Sequence, residues 1–138
     1  MKKIIIIDDS KTIRKVLSNK FILDGYLVDT ASDGEEGLKM LRQEDYSVAI
    51  SDYEMPRLNG LKLYLKLSKE GLPIKDRVIF YTSKACRDFH KYLEKVKVPY
   101  LIKSATFKKL REYVSDLCGE YSWLNSSRLL LAGYACFI

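Results

Sequence analysis

The stretch Val48-Ala49-Ile50-Ser51-Asp52-Tyr53-Glu54-Met55-Pro56-Arg57-Leu58-Asn59-Gly60 decides the reading of this chain. It opens as an apolar run, breaks at an acid, turns through Met55-Pro56 and restarts after Gly60. A buried strand followed by a loop has this pattern. Asp52 then stands at the carboxyl end of the strand, facing solvent. A second apolar run, Ile4-Ile5-Ile6-Ile7, also ends on acids, Asp8 and Asp9. If the two strands are parallel neighbours, three carboxylates meet at one edge of a sheet, and that geometry needs a cation.

Working outward, Lys3–Ile7 is a β-branched run without alternation, which suits a central strand buried on both faces. Ser10 is a good N-cap, and Ile13, Val16, Leu17 and Phe21 follow at helical spacing until Asp24-Gly25 stops the helix. Residues 26–31 form a second strand. Ser32-Asp33-Gly34-Glu35-Glu36 offers two overlapping capping boxes for a second helix, with Leu38 and Leu41 on its inner face. Residues 46–51 are the third strand. Residues 61–67, Leu-Lys-Leu-Tyr-Leu-Lys-Leu, alternate as a strand would, but they lack Val, Ile and Thr and fall where a crossover is required; they are expected to be helical. A fourth strand spans 77–81 and ends at Thr82-Ser83. A helix covers 84–96, with Phe89, Tyr92, Leu93 and Val96 on one side. The fifth strand runs from Val98-Pro99 to Lys103. Thr106 can cap a last helix whose stripe is Phe107, Leu110, Val114 and Leu117, and Gly119 can end it.

Strand and helix thus alternate five times, which specifies an α/β fold with a parallel sheet, helices on both faces and right-handed crossovers. Ligands in such sheets bind beyond the carboxyl ends of the strands. Asp8, Asp9, Asp52, Thr82 and Lys103 all fall at those ends, and this convergence is more specific than any one motif.

The chain has 138 residues, one domain's worth. Its cysteines, Cys86, Cys118 and Cys136, are odd in number and widely spaced, which gives neither a metal-ligand pattern nor a disulfide framework. Reduced thiols in a cytoplasmic protein are the expectation. The amino-terminal apolar run is too short for a signal segment or a membrane span. The net charge of +6 is uneven: residues 84–111 hold nine Lys/Arg against two Asp/Glu. Solvated helix faces would explain this, as would a docking surface for an acidic partner or nucleic acid. Nothing in the pattern supports direct nucleic-acid binding.

Three clustered carboxylates raise one another's pKa, and a hard divalent cation relieves the repulsion. Mg2+ takes oxygen ligands and favours one or two carboxylates together with phosphate. Asp9 and Asp52 are the expected direct ligands, Asp8 acts through water, and the backbone carbonyl near Glu54 adds a further oxygen. A carboxylate can also attack phosphorus to give an aspartyl phosphate. Asp52, on the central strand, is the best nucleophile. Lys103 can pair with one phosphoryl oxygen as a mobile point charge, and the Thr82 hydroxyl can donate to another.

These residues resemble the response-regulator receiver domain of two-component signalling, from about Lys3 to Cys118. Its markers stand here as Asp8-Asp9, Asp52-x-x-Met55-Pro56-x-x-x-Gly60, Thr82-Ser83 and Lys103. The resemblance implies a flavodoxin-like, doubly wound sheet of five strands in the order 2-1-3-4-5 with five helices. It implies that Asp52 takes a phosphoryl group from a histidine kinase or a histidine phosphotransfer protein with Mg2+ bound, as a signalling phosphoacceptor rather than an enzyme. It places Thr82 and Tyr100 as a switch that changes the surface of the fourth helix, fifth strand and fifth helix. The basic segment coincides with that surface, which would serve a downstream effector, an output domain or a second copy of the chain. It places Glu54 and Lys84 at the positions that tune hydrolysis, where opposite charges would pair over the site and prolong the phosphorylated state.

One departure is Ser104, which follows Lys103 where the family has proline; a trans peptide or an altered loop is expected. Residues 1–118 form the receiver and 119–138 a tail, read as a linker, a packing helix or a segment added by cloning, with no output domain encoded. Two rival readings differ in class. A haloacid-dehalogenase-type phosphatase would need an Asp-x-Asp pair, which Glu54 only mimics. A receiver-like interaction module would work without phosphorylation.

Overall fold

Four consecutive isoleucines cannot all point to one side of a strand, because successive side chains alternate. Ile5 and Ile7 enter one apolar cluster and Ile4 and Ile6 another, and all four are essentially inaccessible. The strand they form, β1 (Lys3–Ile7), therefore has to be covered on both faces. In the computed structural model, which describes residues 1–83 and 85–119, it is. The other elements are α1 (Lys11–Leu23), β2 (Leu27–Ala31), α2 (Gly34–Gln43), β3 (Val48–Ser51), α3 (Gly60–Lys69), β4 (Val78–Thr82), α4 (Arg87–Val96), β5 (Tyr100–Ile102) and α5 (Phe107–Leu117). The five strands form one parallel sheet in the order β2-β1-β3-β4-β5, as expected.

The sheet separates two cores. On one face Leu17 and Phe21 of α1 and Leu110 and Val114 of α5 pack on Ile4, Ile6, Ile50 and Ile79. On the other, Leu38 and Leu41 of α2, Leu63 and Leu67 of α3, and Phe89 and Leu93 of α4 pack on Ile5, Ile7, Ala49 and Phe80. Phe21 meets Phe107 edge-on at 4.9 Å, tying α1 to α5.

Local chemistry sets the helix ends. Ser10 Oγ accepts from the Ile13 amide at 3.3 Å, and Gly25, at φ 95°, follows the end of α1. Of the two capping boxes, the second forms: Asp33 Oδ1 accepts from the Glu36 amide at 2.9 Å. Glu36 reaches back to the amide and hydroxyl of Ser32, each at 2.9 Å. The alternating 61–67 segment is helical. Asn59 caps it, Leu63 and Leu67 are buried four residues apart, and Leu65 is left 46% exposed. Gly119, at φ 67°, follows α5.

Several boundaries and positions differ from expectation. Strands β2, β3 and β5 are shorter than 26–31, 46–51 and 98–103. Residue 77 does not begin β4: Pro73–Arg77 is a 3-10 turn, and the Arg77 guanidinium instead donates to the carbonyls of Ser47 and Tyr46 at 2.9 and 3.2 Å. Helix α4 starts at Arg87 rather than 84. Val16 lies on the outer side of α1 and is 45% exposed. Thr106 occupies the N-cap position of α5 without a side-chain capping bond. The Lys103–Ser104 peptide is trans. Lys84, Cys136 and the tail beyond residue 119 lie outside the described residues. No helix among the described residues is long and apolar enough to cross a membrane.

Candidate functional site

Parallel pairing brings the expected acids together. β1 and β3 run in register with Ile7 opposite Ser51, so Asp8 and Asp52 leave the sheet side by side. The Asp52 amide donates to the Ile7 carbonyl at 2.9 Å and the Asp8 amide to the Ala31 carbonyl at 3.1 Å. Asp8 and Asp52 are buried and Asp9 is exposed. One carboxylate oxygen from each of the three lies within 4.8 Å of the others. This is a hard-oxygen donor set with one open side, and it fits Mg2+ better than a soft metal.

The two buried carboxylates are each held from a second direction. Asp8 Oδ1 accepts from the Ser10 amide at 2.9 Å, and Arg14 donates to the Asp8 carbonyl at 2.7 Å. Asp52 Oδ1 accepts from the Tyr53 amide at 2.7 Å. Lys103, from the loop after β5, places Nζ 3.0 Å from Asp8 Oδ2 and 3.1 Å from Asp52 Oδ2. Two bonds fix that loop: the Lys103 amide donates to the Thr82 carbonyl at 2.8 Å and the Tyr81 hydroxyl to the Lys103 carbonyl at 3.1 Å. Ser104 in place of proline therefore leaves Lys103 aimed at the acids.

Electrostatics at the site oppose ionisation of Asp52 and favour the charged form of Lys103. Burial, and next the charge of Asp8, push the Asp52 carboxyl above its ordinary value despite the opposing pull of Lys103. For Lys103, burial acts to lower the ammonium, but the hydrogen bonds and charges of Asp8 and Asp52 outweigh it and raise it. One lysine does not neutralise the cluster.

The loop from Asp52 to Gly60 wraps tightly under the site. The Gly60 amide donates to the Tyr53 carbonyl at 2.8 Å, and a Cβ on Gly60 would stand 2.3 Å from the Asp52 carbonyl oxygen. Only glycine permits that approach. Arg57 takes a left-handed conformation at φ 69° and ion-pairs with Asp33 at 3.1 Å, while Met55 and Leu58 are buried in the core.

The remaining candidates lie near this cluster in different ways. Thr82 ends β4 and is wholly buried; its Oγ1 shares a 2.6 Å hydrogen bond with Nε2 of His90. Tyr100 opens β5, is 7% exposed and donates its hydroxyl to Glu94 Oε1 at 3.0 Å. Glu54 is exposed, with its Oε1 3.9 Å from the Cys86 thiol. Whether it pairs with Lys84 lies outside the described residues. His90 and Cys86 were not singled out from sequence. His90 has a signal in hindsight: it stands three residues before Leu93, inside the apolar stripe of α4, where a polar side chain needs a partner.

The family model of the response regulator receiver domain matches residues 4–115. The chain belongs to the response-regulator receiver family. Among curated relatives, this receiver is 42% identical over 70 residues to the probable transcriptional regulator ycf27 of Guillardia theta. That match spans 51% of this chain and 28% of the relative. It is 33% identical over 73 residues to the transcriptional regulatory protein GlrR of Escherichia coli, spanning 51% of this chain and 16% of that one. The receiver thus spans under a third of the length of these relatives. Among solved structures it resembles the response regulator TrrA of Thermotoga maritima in complex with Mg2+-BeF, at 34% identity and a TM-score of 0.74, over 85% of this chain and 99% of that one. It also resembles the receiver domain of the Francisella response regulator 1452, at 26% identity and a TM-score of 0.78, over 87% and 98% of the two chains. Receivers of this family bind Mg2+ at an acidic pocket, work with histidine kinases and output domains, and act in signalling.

Proposed function

We propose that Asp52 of this receiver accepts a phosphoryl group from a phosphohistidine on a histidine kinase or phosphotransfer protein, and that the phosphorylated form changes the surface it presents to a partner or output domain. The observation that carries the reading is the meeting of Asp8, Asp9, Asp52 and Lys103 at the carboxyl edge of β1, β3 and β5. A carboxylate oxygen of Asp52 forms a bond to phosphorus. The bond from phosphorus to the donor's histidine nitrogen breaks, and its electron pair stays on the imidazole. The Tyr53 amide holds the Asp52 carboxylate in place, so the step needs little beyond alignment and charge neutralisation. Asp9 and Asp52, with Asp8 through water and the backbone carbonyl at Glu54, would hold Mg2+. When bound, the ion supplies the positive charge that the three acids and a phosphoryl group together require. Lys103 is a mobile cation beside Asp52, able to follow a phosphoryl oxygen.

Thr82 and Tyr100 carry the switch in this reading. The Thr82 hydroxyl donates to the phosphoryl group and Tyr100 reports the change to α4, β5 and α5, as a shift between existing populations. Arg87, Lys91, Lys95, Lys97, Lys108 and Lys109 are exposed on or beside α4 and α5, which favours an acidic partner there. The receiver unit is residues 1–118 and its setting is the cytoplasm. A haloacid-dehalogenase reading has no support in the family match, and Glu54, the acid it would use, is exposed beside Cys86.

Intact mass after incubation with Mg2+ and a small-molecule phosphodonor tests the proposal. Wild type should gain one phosphoryl group and Asp52→Asn none. Gain by neither, with the fold intact, would favour a receiver that signals without phosphate.

A further inference from the structure

The hydroxyl that the switch requires is already engaged. Thr82 Oγ1 shares its 2.6 Å hydrogen bond with His90 Nε2 and lies 3.4 Å from the Ser83 carbonyl. Among the described residues it has no hydrogen bond to Asp8, Asp52 or Lys103. His90, the single histidine of the chain, is 7% exposed. Its backbone amide donates to the Cys86 carbonyl at 2.9 Å. Its ring lies flat on Tyr100, with centroids 4.5 Å apart and planes 13° apart. Glu94, one turn further along α4, accepts from the Tyr100 hydroxyl. One helix therefore grips both switch side chains: the hydroxyl through His90 Nε2, and the tyrosine through the face of the same imidazole and through Glu94.

We propose that His90 is a positioning residue that latches the resting receiver, withholding the Thr82 hydroxyl from Asp52 and coupling its release to movement of Tyr100. The latch rests on the assignment of Thr82 and Asp52 made above. A hydroxyl has one proton, and while it is donated to Nε2 it is not available to a phosphoryl oxygen, which only accepts. Burial pushes the His90 imidazole below its ordinary pKa, against a smaller raising effect of Glu94, which favours the neutral ring; the latch takes the tautomer with its proton on Nδ1, in which Nε2 accepts from Thr82. Engaging a phosphoryl group then means breaking the bond to His90. With that anchor lost, the imidazole and the tyrosine stacked on it rearrange together, the tyrosine giving up its bond to Glu94 as it moves.

The test uses the full chain with Mg2+ and beryllofluoride as the phosphoryl mimic. His90→Phe keeps a flat ring against Tyr100 and removes the hydrogen bond. It should bind beryllofluoride about fivefold tighter than wild type, the effect of one ordinary hydrogen bond on the resting population. His90→Gln, whose amide oxygen can accept near the position of Nε2, should return close to the wild-type affinity. In a Thr82→Ala background His90→Phe should change nothing. A purely structural role for His90 would lower stability without this dependence on Thr82. Equal affinity of wild type and His90→Phe, or a gain that persists without Thr82, would overturn the latch and leave the phosphoacceptor reading standing. If His90→Phe does not fold, nitrogen NMR of wild type decides. The lone imidazole should carry its proton on Nδ1 at rest, and its Nε2 signal should move on saturation with the mimic. A resting proton on Nε2, or no shift, overturns the latch. No binding of the mimic by wild type would overturn the phosphoacceptor reading and the latch with it.

Discussion

Lys103 stands 51 residues beyond Asp52 in the chain, and its Nζ lies 3.1 Å from Asp52 Oδ2. The same ammonium reaches Asp8 at 3.0 Å, so it is paired with two of the three acids proposed to hold a divalent ion. Lys103→Met should therefore slow phosphoryl uptake yet tighten Mg2+ binding, because a competing cation is removed. Without Mg2+ the variant should lose about 1–3 kcal/mol at neutral pH, since two acids keep their charges without the lysine. Calorimetric titration and thermal melts with and without Mg2+ check both parts; weaker Mg2+ binding would contradict the competition.

Asp52 titrates above its ordinary value of 3.8 in the fold, so folding disfavours its ionised form. Its contribution to stability is fully present below the ordinary carboxylate pKa and is lost as pH rises through the raised folded value. Without Mg2+ at pH 7, Asp52→Asn should be more stable than wild type by about 1 kcal/mol, or about 4 °C in Tm, with the gain fading as pH falls towards the carboxylate range. Mg2+ at about a hundred times its Kd should add about 2.7 kcal/mol to wild type and less to the variant. Melting curves across pH, with and without the ion, give the comparison.

Gly60 is confined by backbone rather than by a flexible side chain. A Cβ there would meet the Asp52 carbonyl oxygen at 2.3 Å, Phe80 Cε1 at 2.9 Å and Tyr53 Cα at 3.0 Å. Gly60→Ala should cost about 3 kcal/mol and displace Asp52, so stability and phosphoryl uptake fall together. A denaturant midpoint unchanged from wild type would show that the loop yields at little cost.

Tyr46 is buried just before β3 and donates to Asp29 Oδ2 at 2.6 Å, on a carboxylate that Lys3 also contacts at 3.2 Å. Burial, and next the bond to Asp29, hold its phenol well above the usual range. An acid with a raised folded pKa contributes stability that is present below its ordinary value, about 10, and lost as pH rises beyond it. Alkaline titration followed by ultraviolet absorbance should show Tyr46 among the phenols that ionise only as the fold is lost, with Tyr81 also raised by burial. Tyr46→Phe should shrink that late step by one phenol and cost about 1–2 kcal/mol.

The sequence made the sheet and its acidic edge legible because both depend on local patterns. Apolar runs that stop at acids mark strand ends, and the alternation of elements then fixes where those ends meet. Contacts between elements were less accessible. Arg77 looked like the start of a strand because it precedes Val78, but its guanidinium serves carbonyls at the foot of β3. Val16 fits the helical spacing of α1, yet the sheet is covered by Leu17 and Phe21. Lys103 was legible as a strand-end cation, though its bridging of Asp8 and Asp52 together was not. His90 is not legible in the sequence because its contacts come from two other elements, Thr82 of β4 at the ring edge and Tyr100 of β5 on the ring face.

The alternating isoleucines of β1 have a consequence for how such a protein can change over time. Ile4 and Ile6 belong to the cluster that includes α1 and α5, and Ile5 and Ile7 to the cluster that includes α2, α3 and α4. The sheet is a partition, and a substitution in one compartment leaves the side chains that line the other unchanged in kind. The composition of each compartment can drift separately, while a partner surface built from α4 and α5 draws on both. The acids at the strand ends, where both compartments meet, have no such freedom.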